Sequence, residues 1–198
     1  MNSVSEYDPY ERYFRPHATD ALRVLGLVSV PVAYLLAGLP AFLAMLLVHG
    51  GQWGLRYFAV SRLQDWTGQM VLLLAGICSV LDLYAVVEWL DIVVHGLAVG
   101  LIVQVLGTMV GKRVDVAQTL ALRFGTAMYV CRLVSAGAFL AVIWEIGEWL
   151  GFHFLDSEIG VGYDDTMGDL VAGIIGAGLG AVSALTMIRR SRQRPSWT

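Results

Sequence analysis

Three pairs of ionisable residues in this sequence have the spacing to share a helix face. Asp91 and His95 stand at i, i+4, Glu145 and Glu148 at i, i+3, and Asp165 and Asp169 at i, i+4. Side chains three or four positions apart lie on the same side of a helix. The stretch 144–169, WEIGEWLGFHFLDSEIGVGYDDTMGD, holds seven acidic residues in 26 and no Lys or Arg. Carboxylates gathered in one place repel one another unless a cation shares the space. With no side-chain cation at hand, that cation is a proton or a metal ion. Carboxylates with one imidazole suit a hard or borderline divalent ion: Mg, Mn, Ca or Zn. The pattern predicts a metal shell of Asp91, His95, Glu145, Glu148, Asp165 and Asp169. Within it, His95, Glu145 and Asp169 are the expected catalytic residues, and His95 is the best single candidate for ligand or general base. No other cofactor motif is evident, and no hydroxyl, Thr166 included, is paired with a base in the manner of a nucleophile.

A plainer account covers part of this pattern. Acids at helix N-termini are favoured by the macrodipole, which suffices for Asp91, Asp164 and Asp165. It does not suffice for Glu145, Glu148 and Asp169, which sit within or beside apolar helix faces. Ionisable residues inside membrane spans are costly and mark functional sites.

The elements that must position these residues are hydrophobic helices. The chain of 198 residues is 57% hydrophobic and 15% charged, with mean hydropathy +0.67. A soluble domain carries roughly 25% charged residues. The composition predicts an all-α polytopic membrane bundle and gives no basic footprint for nucleic acid. Apolar stretches cover about 69–87, 92–110, 125–150 and 167–188. Region 22–58 is read as two helices meeting at the AGLP turn, Ala37 to Pro40, with Pro40 in the first turn of the second. Six spans with both termini cytoplasmic put all 13 Lys and Arg residues on or near one side, as the positive-inside rule predicts. Arg132 reaches that side by snorkelling. The acidic pairs then lie at the outer ends of helices four, five and six. A polar segment 1–21 precedes a single membrane domain 22–188, and a basic tail 189–198 follows it. No secretory signal is expected, and the expected location is the inner (plasma) membrane.

Other polar residues carry weaker signals. His49 is expected to bond between helices, Gln104 to act as interhelical glue, Asp82 to be a possible addition to the cluster, and Glu88 to be a solvated loop acid. Cys78 and Cys131 read as packing residues. Gly173, Gly176, Gly178 and Gly180 would let another helix approach closely.

The elements D-x-x-x-H (Asp91, His95), E-x-x-E-W (Glu145, Glu148, Trp149) and D-T-x-x-D (Asp165, Thr166, Asp169), followed by a small-residue helix, resemble the YjdF-like bacterial inner-membrane proteins. They have a more distant likeness to VanZ-like proteins. The resemblance covers about residues 85–185. It implies a multi-pass membrane protein with no established activity, and the VanZ-like likeness hints at the cell envelope. The family pattern leads one to expect Arg directly after the first Asp. Ile92 stands there instead, which removes a cation from the site and weakens the case for phosphate binding.

Three functions compete at this stage. One is a metal-dependent membrane enzyme acting on a lipid or envelope substrate. Another is a non-catalytic membrane subunit or binding protein. The third is a small cation or proton transporter, against which stands the apolar character of the inner halves of helices four to six.

Overall fold

A computed structural model of the chain describes residues 16–113, 120–157, 159 and 161–193. The polar N-terminus before residue 16 and the end of the basic tail after residue 193 lie outside the described residues. Every regular element among those described is helical. They are α1 (Asp20–Phe58), α2 (Arg62–Val80), the single turn α3 (Leu83–Val86), α4 (Glu88–Arg113), α5 (Gly125–Phe154) and α6 (Tyr163–Gln193).

Helix α1 is two arms. Ala37 (φ −139°, ψ 17°) and Gly38 (φ 75°, ψ −158°) break the helical backbone. The positive φ at Gly38 is open to glycine at little cost. Pro40 follows in the first turn of the second arm, where its missing N–H costs nothing. The arms then fold back on one another. Arg23 Nε donates to the Gln52 carbonyl at 3.1 Å, and Gln52 Nε2 donates to the Leu22 carbonyl at 3.1 Å. In a straight helix, Arg23 and Gln52 would stand about 44 Å apart. The two arms share a core of Val30, Ala33, Ala41, Met45 and Val48.

The remaining long helices alternate in direction. Helix α2 runs against the second arm, with Gly68 under Leu55 and Gly76 under Met45. Its start is capped by Ser61, whose side chain accepts from Gln64 N. Its end turns at Asp82, in the left-handed region at φ 52°. Helix α5 runs antiparallel to α6, with Gly137 against Ala177 and Ala141 against Gly173. Helices α4 and α6 run parallel and make the most extensive pairing in the molecule. A Cβ on Gly96 would meet the Ala172 carbonyl at 3.2 Å, and one on Gly100 would meet the Gly176 carbonyl at 2.8 Å. From the other side, a Cβ on Gly176 would run into the Gly96 carbonyl, and one on Gly180 into the Gly100 carbonyl. Backbone lies on backbone along this seam, as small residues permit between helices.

Polarity is arranged inside out. Leu35, Leu36, Phe139, Ile175 and Leu179 are among many large apolar side chains on the outer surface. Among the most deeply buried large side chains, Arg23, Gln52, Gln69, Thr108 and Asp169 are polar. A lipid-facing exterior accounts for this, because in a bilayer the polar groups must find their partners inside. Four helices are long and apolar enough to cross a membrane: Asp20–Phe58, Trp89–Gly111, Gly125–Phe154 and Tyr163–Arg190. Helix α2 is not among them, and its first turns carry Arg62, Gln64, Asp65 and Gln69.

The seam generates a prediction. Gly176→Ala should lower the melting temperature of the protein in detergent, since the new methyl meets carbonyl backbone that cannot rotate away. Overpacking of this kind costs about 1–3 kcal/mol. Gly178, two residues on, has nothing within 4 Å of its ideal Cβ. Gly178→Ala should leave the melt unchanged or raise it. Equal melts for the two variants would show that the seam is not a tight contact.

Candidate functional site

Helices α4, α5 and α6 bring one member of each acidic pair together at the end of the bundle near α3. His95 Nδ1 lies 4.0 Å from Glu145 Oε1 and 3.9 Å from Asp169 Oδ2. Their side chains are 6%, 9% and 2% exposed. The register of the helices explains the meeting. Gly96 packs on Ala172 one residue past His95, so the parallel seam sets His95 beside Asp169. Ala141 packs on Gly173 one turn from Glu145, so the antiparallel α5 delivers Glu145 to the same depth.

These three residues offer ligand atoms that all lie within 4.8 Å of one another. A second group, Asp91, Asp165 and Asp169, meets the same limit. Asp91 is half-buried and Asp165 exposed, so this group lies toward the mouth. Glu148 belongs to neither group among the described residues, though it stays within electrostatic range of Glu145, Asp91 and Asp169. Three atoms at the buried group have no hydrogen-bond partner: His95 Nε2, Glu145 Oε1 and Asp169 Oδ1. Buried polar atoms are nearly always paired, and an orphan calls for a physical account. Of the three, Glu145 Oε1 is the one that faces the gap, 4.0 Å from His95 Nδ1. Ligand atoms on a single ion at ~2.1 Å sit roughly 3.0–3.5 Å apart. The two distances from His95 would shorten by roughly 0.5–1 Å to share a cation.

Next to the cluster, the Tyr84 hydroxyl donates to the Ala75 carbonyl at 3.1 Å. Burial, and then the nearby Asp91 charge, push this phenol above its usual range, so it stays protonated. Thr166 reaches Glu145 with its hydroxyl.

The geometry now meets the comparisons. A family model described as predicted membrane protein (DUF2238) matches residues 21–190. The chain belongs to the DUF2238 family. This agrees with the YjdF-like resemblance, while the VanZ-like likeness gains no support from it. No curated protein and no solved structure matches the chain. The DUF2238 match covers all three acidic pairs and every helix but the first residue of α1 and the last residues of α6.

Several secondary expectations for this DUF2238 protein are now resolved. Gln104 does join helices: its Nε2 donates to Ser183 Oγ at 2.5 Å, and its Oε1 accepts from Gln64 at 3.3 Å. His49 does not. Its Nε2 accepts from Trp53 Nε1 at 3.1 Å within the same helix, because a Trp at i+4 is a nearer donor than any group on another helix. Asp82 occupies the exposed turn after α2 and is in neither ligand group. The side chain of Glu88 lies outside the described residues. Cys78 is buried and Cys131 exposed, and both are free thiols.

Sequence reasoning missed a second polar cluster, at the opposite end of the bundle. Arg23, 2% exposed, pairs with Asp65 through Nη2 and with Asp20 through Nη1 at 2.8 Å. Thr19 donates to Asp65 at 2.5 Å, and Gln69 Nε2 donates to Asp65 at 3.1 Å. Arg56 approaches Asp20 at 3.6 Å. The two arms of α1 and the start of α2 are tied together here. Arg23→Leu should destabilise the protein by about 3–5 kcal/mol, because it strands the Asp65 charge in the interior. The double change Arg23→Leu/Asp65→Leu should cost less than Arg23→Leu alone. Chemical unfolding in detergent measures both, and a double variant worse than the single would mean that the pair itself holds the arms.

Proposed function

We propose that this DUF2238 protein is a six-span membrane protein with both termini cytoplasmic, and that it holds a divalent metal ion at its outer end. The ion's ligands are His95, Glu145 and Asp169, and it serves a membrane enzyme acting on a lipid or envelope substrate. The observation that carries the reading is the convergence of these three side chains from three helices, each with a buried polar atom lacking a partner. Three protein ligands leave a coordination position for water or substrate, which is the character of catalytic rather than structural metal sites. An ion there would polarise a substrate oxygen or lower the pKa of a bound water. Glu148, outside both ligand groups yet beside them, is placed to take a proton.

The topological part rests on the reversal of α1 and on charge. Two arms, α2, α4, α5 and α6 make six segments, and the loops at the cluster end carry no Lys or Arg among residues 88–91 and 151–166. A transport function is favoured less. Between His95 and Gln104 the α4–α6 seam is closed by glycine-on-backbone contacts and by Val99, Val103, Ala177 and Ala181. That belt is apolar and closely packed.

Topology is tested by single cysteines in a cysteine-free background. Ser157→Cys should react with a membrane-impermeant reagent in intact cells, and Asn2→Cys and Ser196→Cys should not. Labelling of either terminal position overturns the orientation.

Metal binding is tested by melting the purified protein in EDTA and then with Mg, Mn, Ca or Zn. A ligand that binds only the folded state at 100 times its dissociation constant adds about 2.7 kcal/mol. At least one ion should raise the melt, and His95→Ala and Asp169→Asn should each remove most of that rise. With no shift from any ion and no metal by elemental analysis, the cluster is a proton-binding one and the metalloenzyme reading falls. Incubation of the metal-loaded protein with envelope lipid extract should give a metal-dependent mass change that His95→Ala abolishes. A metal response without such chemistry assigns the protein to a non-catalytic binding role.

A further inference from the structure

Asp169 is the one residue common to the two ligand groups. Its Oδ2 faces His95 at 3.9 Å, and its Oδ1 is buried without a hydrogen-bond partner. It shares one group with His95 and Glu145, whose side chains are buried, and the other with Asp91, half-buried, and Asp165, exposed. A carboxylate that belongs to two sets of ligand atoms, and has no donor for one of its two oxygens, is able to bridge them.

Charge argues the same way. The two groups contain four carboxylates, Asp91, Glu145, Asp165 and Asp169, and one imidazole. A single divalent ion would leave that set at −2, in an end of the bundle that supplies no Lys or Arg from residues 144–169. A second divalent ion brings it to zero. Desolvated like charges are costly, and the cost rises with burial. Asp169, the most buried of the four, stands where both ions would share it.

We infer that Asp169 bridges two divalent ions, an inner one on His95 and Glu145 and an outer one on Asp91 and Asp165. This rests on the metal reading above and goes beyond its single ion. The two positions differ in chemistry. The inner one, with an imidazole nitrogen and two carboxylates in a dry setting, suits a borderline ion such as Zn or Mn. The outer one is all oxygen and open to water, which suits a hard ion such as Mg, Ca or Mn. Paired ions of this kind sit about 3.5–4 Å apart and act together on the attacking and leaving oxygens of a displacement.

Mn(II) fits both positions and reports its own spacing. The full chain in detergent, stripped with EDTA and titrated with Mn(II), should bind two ions. Its electron paramagnetic resonance spectrum should show the exchange coupling of a bridged pair. The double variant Asp91→Asn/Asp165→Asn should bind one ion and show only the uncoupled signal, with the inner triad untouched. One Mn(II) in the wild-type protein overturns the bridge and leaves the single-ion reading standing. Two uncoupled ions overturn it as well. No bound Mn(II) at all overturns the bridge, and the single-ion reading then stands or falls on the melts with Mg, Ca and Zn. The wild-type measurement needs no variant to fold, so a misfolded variant does not rescue the idea.

Discussion

The contact between α4 and α6 is where backbone meets backbone, and the candidate site follows from it. Two parallel helices that touch through Gly96, Gly100, Gly176 and Gly180 cannot slide: a step of one residue would drive a Cβ into a carbonyl. The register so fixed runs on upward. The step that seats Gly96 on Ala172 seats His95 beside Asp169, and one turn higher it seats Asp91 near Asp165. The antiparallel α5 is keyed to the same helix by Gly137 and Ala141. Glu145 therefore arrives at the depth of Asp169 with no loop involved. A site carried on locked helices is positioned more rigidly than one carried on loops.

Burial of polarity sets the second level of organisation. Lipid tails are as apolar as Leu, so these helices gain little by hiding Leu and much by pairing what lipid cannot solvate. The interior accordingly has polar layers with a dry belt between two of them. At one end lie Arg23, Asp65, Gln52 and Gln69. Beside them, Gln64, Gln104, Thr108 and Ser183 link α2, α4 and α6. Then come Val99, Val103, Ala177 and the glycines, and beyond these the carboxylates. The belt separates the acidic cluster from the polar groups below it. This belt is the ground on which the proposed reading sets a one-sided site above a path through the bundle.

Much of this was legible in the sequence where a signal is local. Pairs at i, i+3 and i, i+4 declare a helix face without any tertiary knowledge, so Asp91, His95, Glu145, Glu148, Asp165 and Asp169 were all in view. The reversal of α1 was also legible, because Gly38 and Pro40 mark a backbone break by themselves. What stayed hidden is pairing at long range. Arg23 and Asp65 are 42 residues apart, and the charge rule only assigned Arg23 a side of the membrane, with nothing to pair it with Asp65. The division of six residues into two triads joined at Asp169, with Glu148 outside both, depends on the angle between helices. No spacing encodes that. His49 failed for a related reason: a buried-looking histidine was assigned to a neighbouring helix when Trp53 on its own helix lay within reach.

The two ends of the bundle treat a buried carboxylate in opposite ways. Asp65 is held by Arg23, Thr19 and Gln69, so its charge is matched and its oxygens are bonded. Asp169 is still more buried, at 2% against 7%, yet the acidic groups around it are Asp91, Glu145 and Asp165, with His95 at 3.9 Å. Leaving a buried acceptor unmade costs roughly 1–3 kcal/mol, and more for a charged group. A chain that balances Asp65 with its own arginine has the means to balance Asp169 in the same manner. It places Ile92 beside Asp91 instead, with no Lys or Arg in the stretch 144–169, and the metal site proposed above is one answer to that imbalance.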